Sequence, residues 1–231
     1  MRRTTVVKNP LTRSSESGAY EPDSLSIDPV KMLRIHGYKD MNAVRPIIRR
    51  TAEEIAVRAA KIMTPVAMFR RVGVIHCNSE GLTLENGVSF EGHAFSNYFA
   101  GAKEVVVVII TVGKELDDEV IGCMDVFEPL EALFLETAGW LGIESTTRSF
   151  KKYLNEHVSI EKLKSTRRMG PGYSYKVNGG EEMWSLEDQR DLFSVFDNAD
   201  LPVRLLESCA MMPKMSRSGV YGLVPTGNDC N

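Results

Sequence analysis

Long apolar runs are missing from this sequence. The longest, Val105 to Val112, is far below the about 20 residues that a membrane-crossing helix needs. Charge of one sign is missing too: 28 Lys and Arg stand against 31 Asp and Glu, a net charge of −3. A broad basic surface for nucleic acid is therefore excluded. Cysteine is sparse, with Cys77, Cys123, Cys209 and Cys230 far apart and no Cys-x-x-Cys pair. That rules out a zinc ribbon and a disulfide framework, and predicts free, mostly buried thiols in a reducing cytosol. The basic start, Met1-Arg2-Arg3 through Lys8-Asn9-Pro10, has no apolar stretch of signal-peptide length behind it, so the expected location is cytoplasmic.

Familiar catalytic patterns are absent as well. No Gly-x-Gly-x-x-Gly follows the apolar run, and there is no Walker A sequence, no Gly-x-Ser-x-Gly and no His-Glu-x-x-His,. The histidines His36, His76, His93 and His157 are scattered singly, so the residues nominate neither a metal site nor a nucleophile–base set. No internal repeat is visible.

What remains is an ordinary globular composition. With 43% hydrophobic residues over 231 positions, one domain can bury a sizeable core. Residues 1–26 are rich in Ser, Thr, Arg and Pro and read as a flexible tail, leaving 27–231 as the domain. Asp28 and Pro29 predict a capped helix ending at Gly37. Residues 40–63 place Ile47, Ile48, Ile55, Ala59 and Ile62 on one helical face, stopped by Pro65. Strands are expected over 68–77, 82–90, 103–110, 203–208 and 218–224, and helices over 114–124, 128–155 and 185–196. The unbroken β-branched run in 105–110 implies a central strand buried on both faces. Gly139 and Gly142 inside the long helix each cost about 1 kcal/mol against Ala, which points to a close packing contact or a ligand there. The whole reads as a single α+β domain.

One segment offers site chemistry: Arg168-Met169-Gly170-Pro171-Gly172-Tyr173. Gly and Pro permit a tight turn that a ligand could approach closely. Arg168 carries a planar fork suited to a carboxylate, and Tyr173 an aromatic face with a hydroxyl. An amino-acid ligand with a cation, such as the sulfonium of S-adenosylmethionine, could use all three. A surface turn with an incidental Arg and Tyr fits the same spacing.

Arg168-x-x-x-Gly172-Tyr173, then Trp184-Ser185-Leu186-Glu187-Asp188-Gln189 with Leu192-Phe193, resembles the activation domain of cobalamin-dependent methionine synthase, and more closely the stand-alone proteins related to it. Glu207 to Lys214, followed by Ser218-Gly219-Val220-Tyr221-Gly222, is similar to that family's C-terminal pattern. Val30 to Tyr38, Thr111-Val112-Gly113 and the helix around Leu133 to Glu136 and Glu144 resemble its earlier motifs, in the same order over roughly 27–225.

The resemblance implies a twisted, largely antiparallel sheet flanked by helices, binding S-adenosylmethionine in a shallow groove. It implies Arg168 at the ligand's carboxylate, backbone groups of Gly170 and Gly172 beside it, and Glu144 at its amino group. Tyr173 and Tyr221 would lie near the ligand or the corrin-facing surface. It further implies a cobalamin-dependent methionine synthase or another corrinoid protein as partner, and a low-potential electron donor. Cobalamin is expected only on the partner, because Asp-x-His-x-x-Gly is absent here. Two departures stand out: Ser174 replaces the family's proline, and 175–183 is an insertion that could remodel one groove wall. Two other readings stay open, a corrinoid-protein scaffold without methyl chemistry and a methyltransferase acting on a small molecule.

Overall fold

The computed structural model describes residue 11 and residues 17–197 and 199–227. Eleven strands and six helices follow in chain order: β1 (Gly18–Tyr20), α1 (Pro29–Ile35), α2 (Pro46–Ile62), β2 (Val66–Cys77), β3 (Gly81–Leu84), β4 (Ser89–Glu91), α3 (Ala94–Tyr98), β5 (Glu104–Thr111), α4 (Glu115–Asp125), α5 (Pro129–Val158), β6 (Leu163–Ser165), β7 (Ser174–Val177), β8 (Gly180–Met183), α6 (Gln189–Ser194), β9 (Arg204–Leu205), β10 (Met211–Met212) and β11 (Ser216–Pro225). The main sheet runs β4-β3-β2-β5-β11-β6, with β1 beside β2, and all its pairs are antiparallel.

As the apolar run predicts, all eight residues of β5 are buried, and the strand lies between β2 and β11. Successive side chains alternate faces, so Val106, Val108 and Ile110 join one core with α1, α2, α4 and α5. Val105, Val107 and Ile109 join a second core with α3, α6, Met169, Tyr175 and Trp184. The sheet is the middle of three layers, a mixed α and β domain of mostly antiparallel type.

Local chemistry explains the element ends. Asp28 Oδ1 accepts from the N–H of Val30 at 2.9 Å, with Pro29 at the first helical position, as anticipated. The second helix starts later than its pattern suggested. Asp40 caps a separate 3-10 turn, Met41–Ala43, and α2 begins at Pro46. Ile47 is 61% exposed, because neighbours in a helix point about 100° apart and Ile48 takes the face shared with Ile55 and Ala59.

The 82–90 strand divides at a turn into β3 and β4, 203–208 keeps only β9, and the 185–196 helix shrinks to α6. The sheet begins at Gly18 rather than after residue 26, since β1 pairs with Ala67 to Phe69. Three residues carry too little periodicity to be recognised as a strand. Cys123 and Cys209 are buried and Cys77 half-buried, all free thiols; Cys230 lies outside the described residues.

The 175–183 insertion is a β-hairpin, β7 with β8, turning at Asn178 (φ 47°) and Gly179 (φ 84°). Two positive φ values make the turn that suits the twist of paired strands. Glu182 fastens it by accepting from the N–H groups of His93 at 3.0 Å and Ala94 at 2.9 Å.

Candidate functional site

Of the candidate residues, Tyr221 lies on β11 and Glu144 on α5. Along β11, Arg217, Gly219 and Tyr221 share one face, and contacts to α5 advance together along both elements. Lys214 reaches Glu136, Met215 packs over Gly139, Arg217 bonds Glu144, and Tyr221 meets Phe150. Gly139 and Gly142 are explained by packing: a Cβ at Gly139 would lie 2.4 Å from Leu116 Cδ2, and one at Gly142 2.6 Å from Met63 Sδ.

The Arg168–Tyr173 segment lies against the same strand. Met169 exchanges two backbone hydrogen bonds with Val220, at 2.9 and 2.7 Å. That bridge draws the Arg168 side chain across Gly219, where its guanidinium donates to the Ser218 carbonyl. A Cβ on Gly219 would sit 2.8 Å from both Cγ and Nη1 of Arg168 and 2.3 Å from the Met169 carbonyl. Only glycine leaves room for this approach. The guanidinium also lies 5.5 Å from the centre of the half-exposed Tyr173 ring, a cation–π contact.

The turn itself is closed from within. Gly170 N–H donates to the Tyr175 hydroxyl at 2.6 Å, and that hydroxyl donates back to the Gly170 carbonyl at 3.0 Å. Gly172, at φ +82°, donates its N–H to the Trp184 carbonyl at 2.8 Å. The N–H groups of both glycines are thus engaged inside the protein, so these residues shape the turn. The hairpin supplies Tyr175 for this purpose, so the insertion braces the turn from behind. Trp184 stands edge-on to Phe90 and Phe95 and donates to Asp188 at 2.7 Å. Gln189 bonds the Ser218 hydroxyl at 2.7 Å, which holds the far face of β11.

Of the six residues nominated, Arg168 and Glu144 both act electrostatically on Tyr221 on the α5 face of β11, with Tyr173 half-exposed beside Arg168. Tyr221 is 1% exposed, so its ring belongs to the core rather than to an outer surface. Burial pushes its phenol up to about 12, while Arg168 and Arg217 draw it down and Glu144 raises it. Glu144 is already paired: its Oε2 accepts from Arg217 at 2.9 Å, and Oε1 lies 3.9 Å from Arg148.

Arg217 carries no signal in the sequence motifs and gains its place only from β11. The strand was expected from 218 and starts at 216; extending the period of two back from Tyr221 would have found it. Among the described residues no cluster of three His, Cys, Asp or Glu could hold a metal ion, and no helix is long and apolar enough to cross a membrane.

No protein-family model matches the sequence, and no curated protein matches it. Among solved structures, the crystal structure of the MetH reactivation domain bound to AdoHcy is similar, with a TM-score of 0.54 and 15% identity. This chain has that domain's fold. The likeness covers 85% of this chain and 66% of the other, just under two thirds of its length. The single α+β architecture implied by the motifs is therefore the one found. The candidate residues meet where α5 packs on β11, with the Arg168–Tyr173 turn beside them.

Proposed function

We propose that this protein binds S-adenosylmethionine and serves the reductive reactivation of a corrinoid held by a partner, either a cobalamin-dependent methionine synthase or a related corrinoid methyltransferase. One observation carries the reading: Arg168 is laid across Gly219 on the β11 face that bears Tyr221 and, through Arg217, meets the Glu144 carboxylate of α5, with the Tyr173 ring exposed beside it. The similar domain's bound AdoHcy supports the ligand class.

The residues fit such a ligand by their chemistry. Arg168 spends one guanidinium nitrogen on Ser218 and has other donors for a carboxylate. Glu144 is the acidic group of the cluster and suits an ammonium. Tyr173 presents a ring to a sulfonium. When bound, S-adenosylmethionine supplies an electrophilic methyl to the partner's corrinoid, the substrate, once a low-potential donor has provided an electron. The chain's own part is positional: it holds the ligand in one orientation and shields it from water. Tyr221, raised well above neutrality, keeps its proton at physiological pH, so it is a neutral core group behind the candidate site rather than a base.

Calorimetric titration with S-adenosylmethionine tests the ligand. Arg168→Ala should cost about 1.5–3 kcal/mol of binding free energy, the range for a charge-assisted hydrogen bond. Equal affinity of both proteins removes Arg168 from the site, and no binding at millimolar ligand favours a scaffold. The reaction is tested anaerobically, following the partner's cobalt spectrum while S-adenosylmethionine, the reductant and this protein are omitted in turn. A methylated corrinoid formed equally fast without this protein overturns the role.

A further inference from the structure

We propose that Arg217 is an internal competitor for Glu144, occupying the place on that carboxylate which a ligand's ammonium would take. It thereby sets how far the site reads the α-amino group. This rests on the ligand reading above and adds a specificity determinant to it.

The pair is built in. Arg217 Nη1 donates to Glu144 Oε2 at 2.9 Å and lies 3.4 Å from Thr147 Oγ1 one turn further along α5. The Arg217 side chain is only 17% exposed and that of Glu144 39%. Water therefore competes less for this charge-assisted bond than at an open surface. Arg148 approaches the other oxygen of Glu144. Arg168 lies across Gly219, the next residue of Arg217's face of β11. Two arginines thus flank one carboxylate and a third lies over β11, so the local field attracts an anion and repels a further cation.

An ammonium reaches the Oε2 side of Glu144 only by displacing Arg217, and the apparent affinity through that oxygen falls with the fraction of molecules in which the bond is open. A ligand carboxylate faces no such competition and meets Arg168 directly. The site therefore reads the carboxylate strongly and the amino group weakly.

The experiment compares S-adenosylhomocysteine with its analogue lacking the α-amino group, by calorimetry on the full chain. The wild type should bind the two with similar affinity. Arg217→Met, which keeps the apolar stem and removes the donors, should bind S-adenosylhomocysteine tighter by roughly five-fold or more and the analogue no tighter. Arg217→Lys should behave as the wild type. The proposal is overturned if Arg217→Met leaves S-adenosylhomocysteine binding unchanged or weaker, or tightens both ligands equally. It is also overturned, with no variant needed, if the wild type prefers the amino-bearing ligand by more than about ten-fold, which is 1.4 kcal/mol. Failure of either nucleoside to bind any of these proteins instead overturns the S-adenosylmethionine reading and takes this inference with it.

Discussion

Tyr221 shows how one residue couples the core to the candidate site. Its ring packs 6.1 Å from that of Phe150, while its hydroxyl responds to Arg168, Arg217 and Glu144. Burial dominates and lifts the phenol from 10.0 to about 12. A phenol with a raised folded pKa favours the folded state fully below the unfolded value, and that contribution is lost as pH climbs through the folded one. Urea midpoints should hold steady up to about pH 10 and fall between there and about pH 12. Tyr221→Phe should soften the fall without removing it, since burial also raises Tyr20, Tyr153 and Tyr175. An identical alkaline slope in both proteins would show that the Tyr221 phenol is solvated. Arg168 and Tyr173 could be nominated from the sequence because a guanidinium fork suited to a carboxylate and an aromatic ring flank a Gly-Pro-Gly turn. That the N–H groups of Gly170 and Gly172 are already engaged could not, since their partners, Tyr175 and Trp184, sit on strands of a hairpin and its exit.

At the scale of elements, α5 and β11 depend on one another's small residues. Ala in place of Gly139 gains about 1 kcal/mol of helix propensity. Its Cβ meets Leu116 Cδ2 at 2.4 Å and Met215 Cγ at 2.8 Å, and Leu116 is wholly buried with nowhere to retreat. Overpacking of this kind costs about 1–3 kcal/mol, so Gly139→Ala should lose roughly 1 kcal/mol net. Gly142→Ala should lose less, because the Cβ there meets the sulfur and methyl of Met63, the far end of a flexible side chain. Urea denaturation of the two variants checks the order; a stabilised Gly139→Ala would show that the layer between α4 and α5 has slack. The long helix was legible because it repeats its period over many turns, and β5 because its β-branched run is unbroken. The strands β1, β4 and β9, of two or three residues, exist only because a neighbour pairs with them.

Across the whole molecule, a buried clamp ties the layers together. Arg70 and Arg71 are neighbours on β2, so they enter opposite faces of a sheet covered on both sides. Arg70 donates to the Val195 carbonyl and to Asp197. Arg71 reaches Glu161 just past α5 at 2.6 and 2.7 Å, Glu104 on β5 at 2.6 and 3.2 Å, and the Leu11 carbonyl at 3.0 Å. Glu161 first, with Glu104, holds the guanidinium charged above its ordinary range despite burial. Removing Arg71 takes a charged partner from a buried carboxylate: the Arg71 and Glu104 side chains are 2% and 6% exposed. Arg71→Met should therefore cost about 3–5 kcal/mol, and adding Glu104→Met should recover much of that loss. Chemical denaturation of the single and double variants measures this. A near-neutral single variant would mean that water reaches Glu104 and replaces the arginine.

The sequence by itself determined the elements whose signal is local: the Asp28 cap, the doubly buried β5, the long α5 and the turn between Arg168 and Tyr173. It also held enough ordered motifs to point to the fold. Tertiary structure alone decided which charges meet. Glu144 and Arg217 stand 73 positions apart, and they touch because core packing sets how far α5 is advanced along β11. Arg71 meets Glu104 through the register of β2 on β5, and Glu161 through the packing of the end of α5 on the sheet. Contact between distant side chains depends on the registry of whole elements, and no local pattern carries that registry.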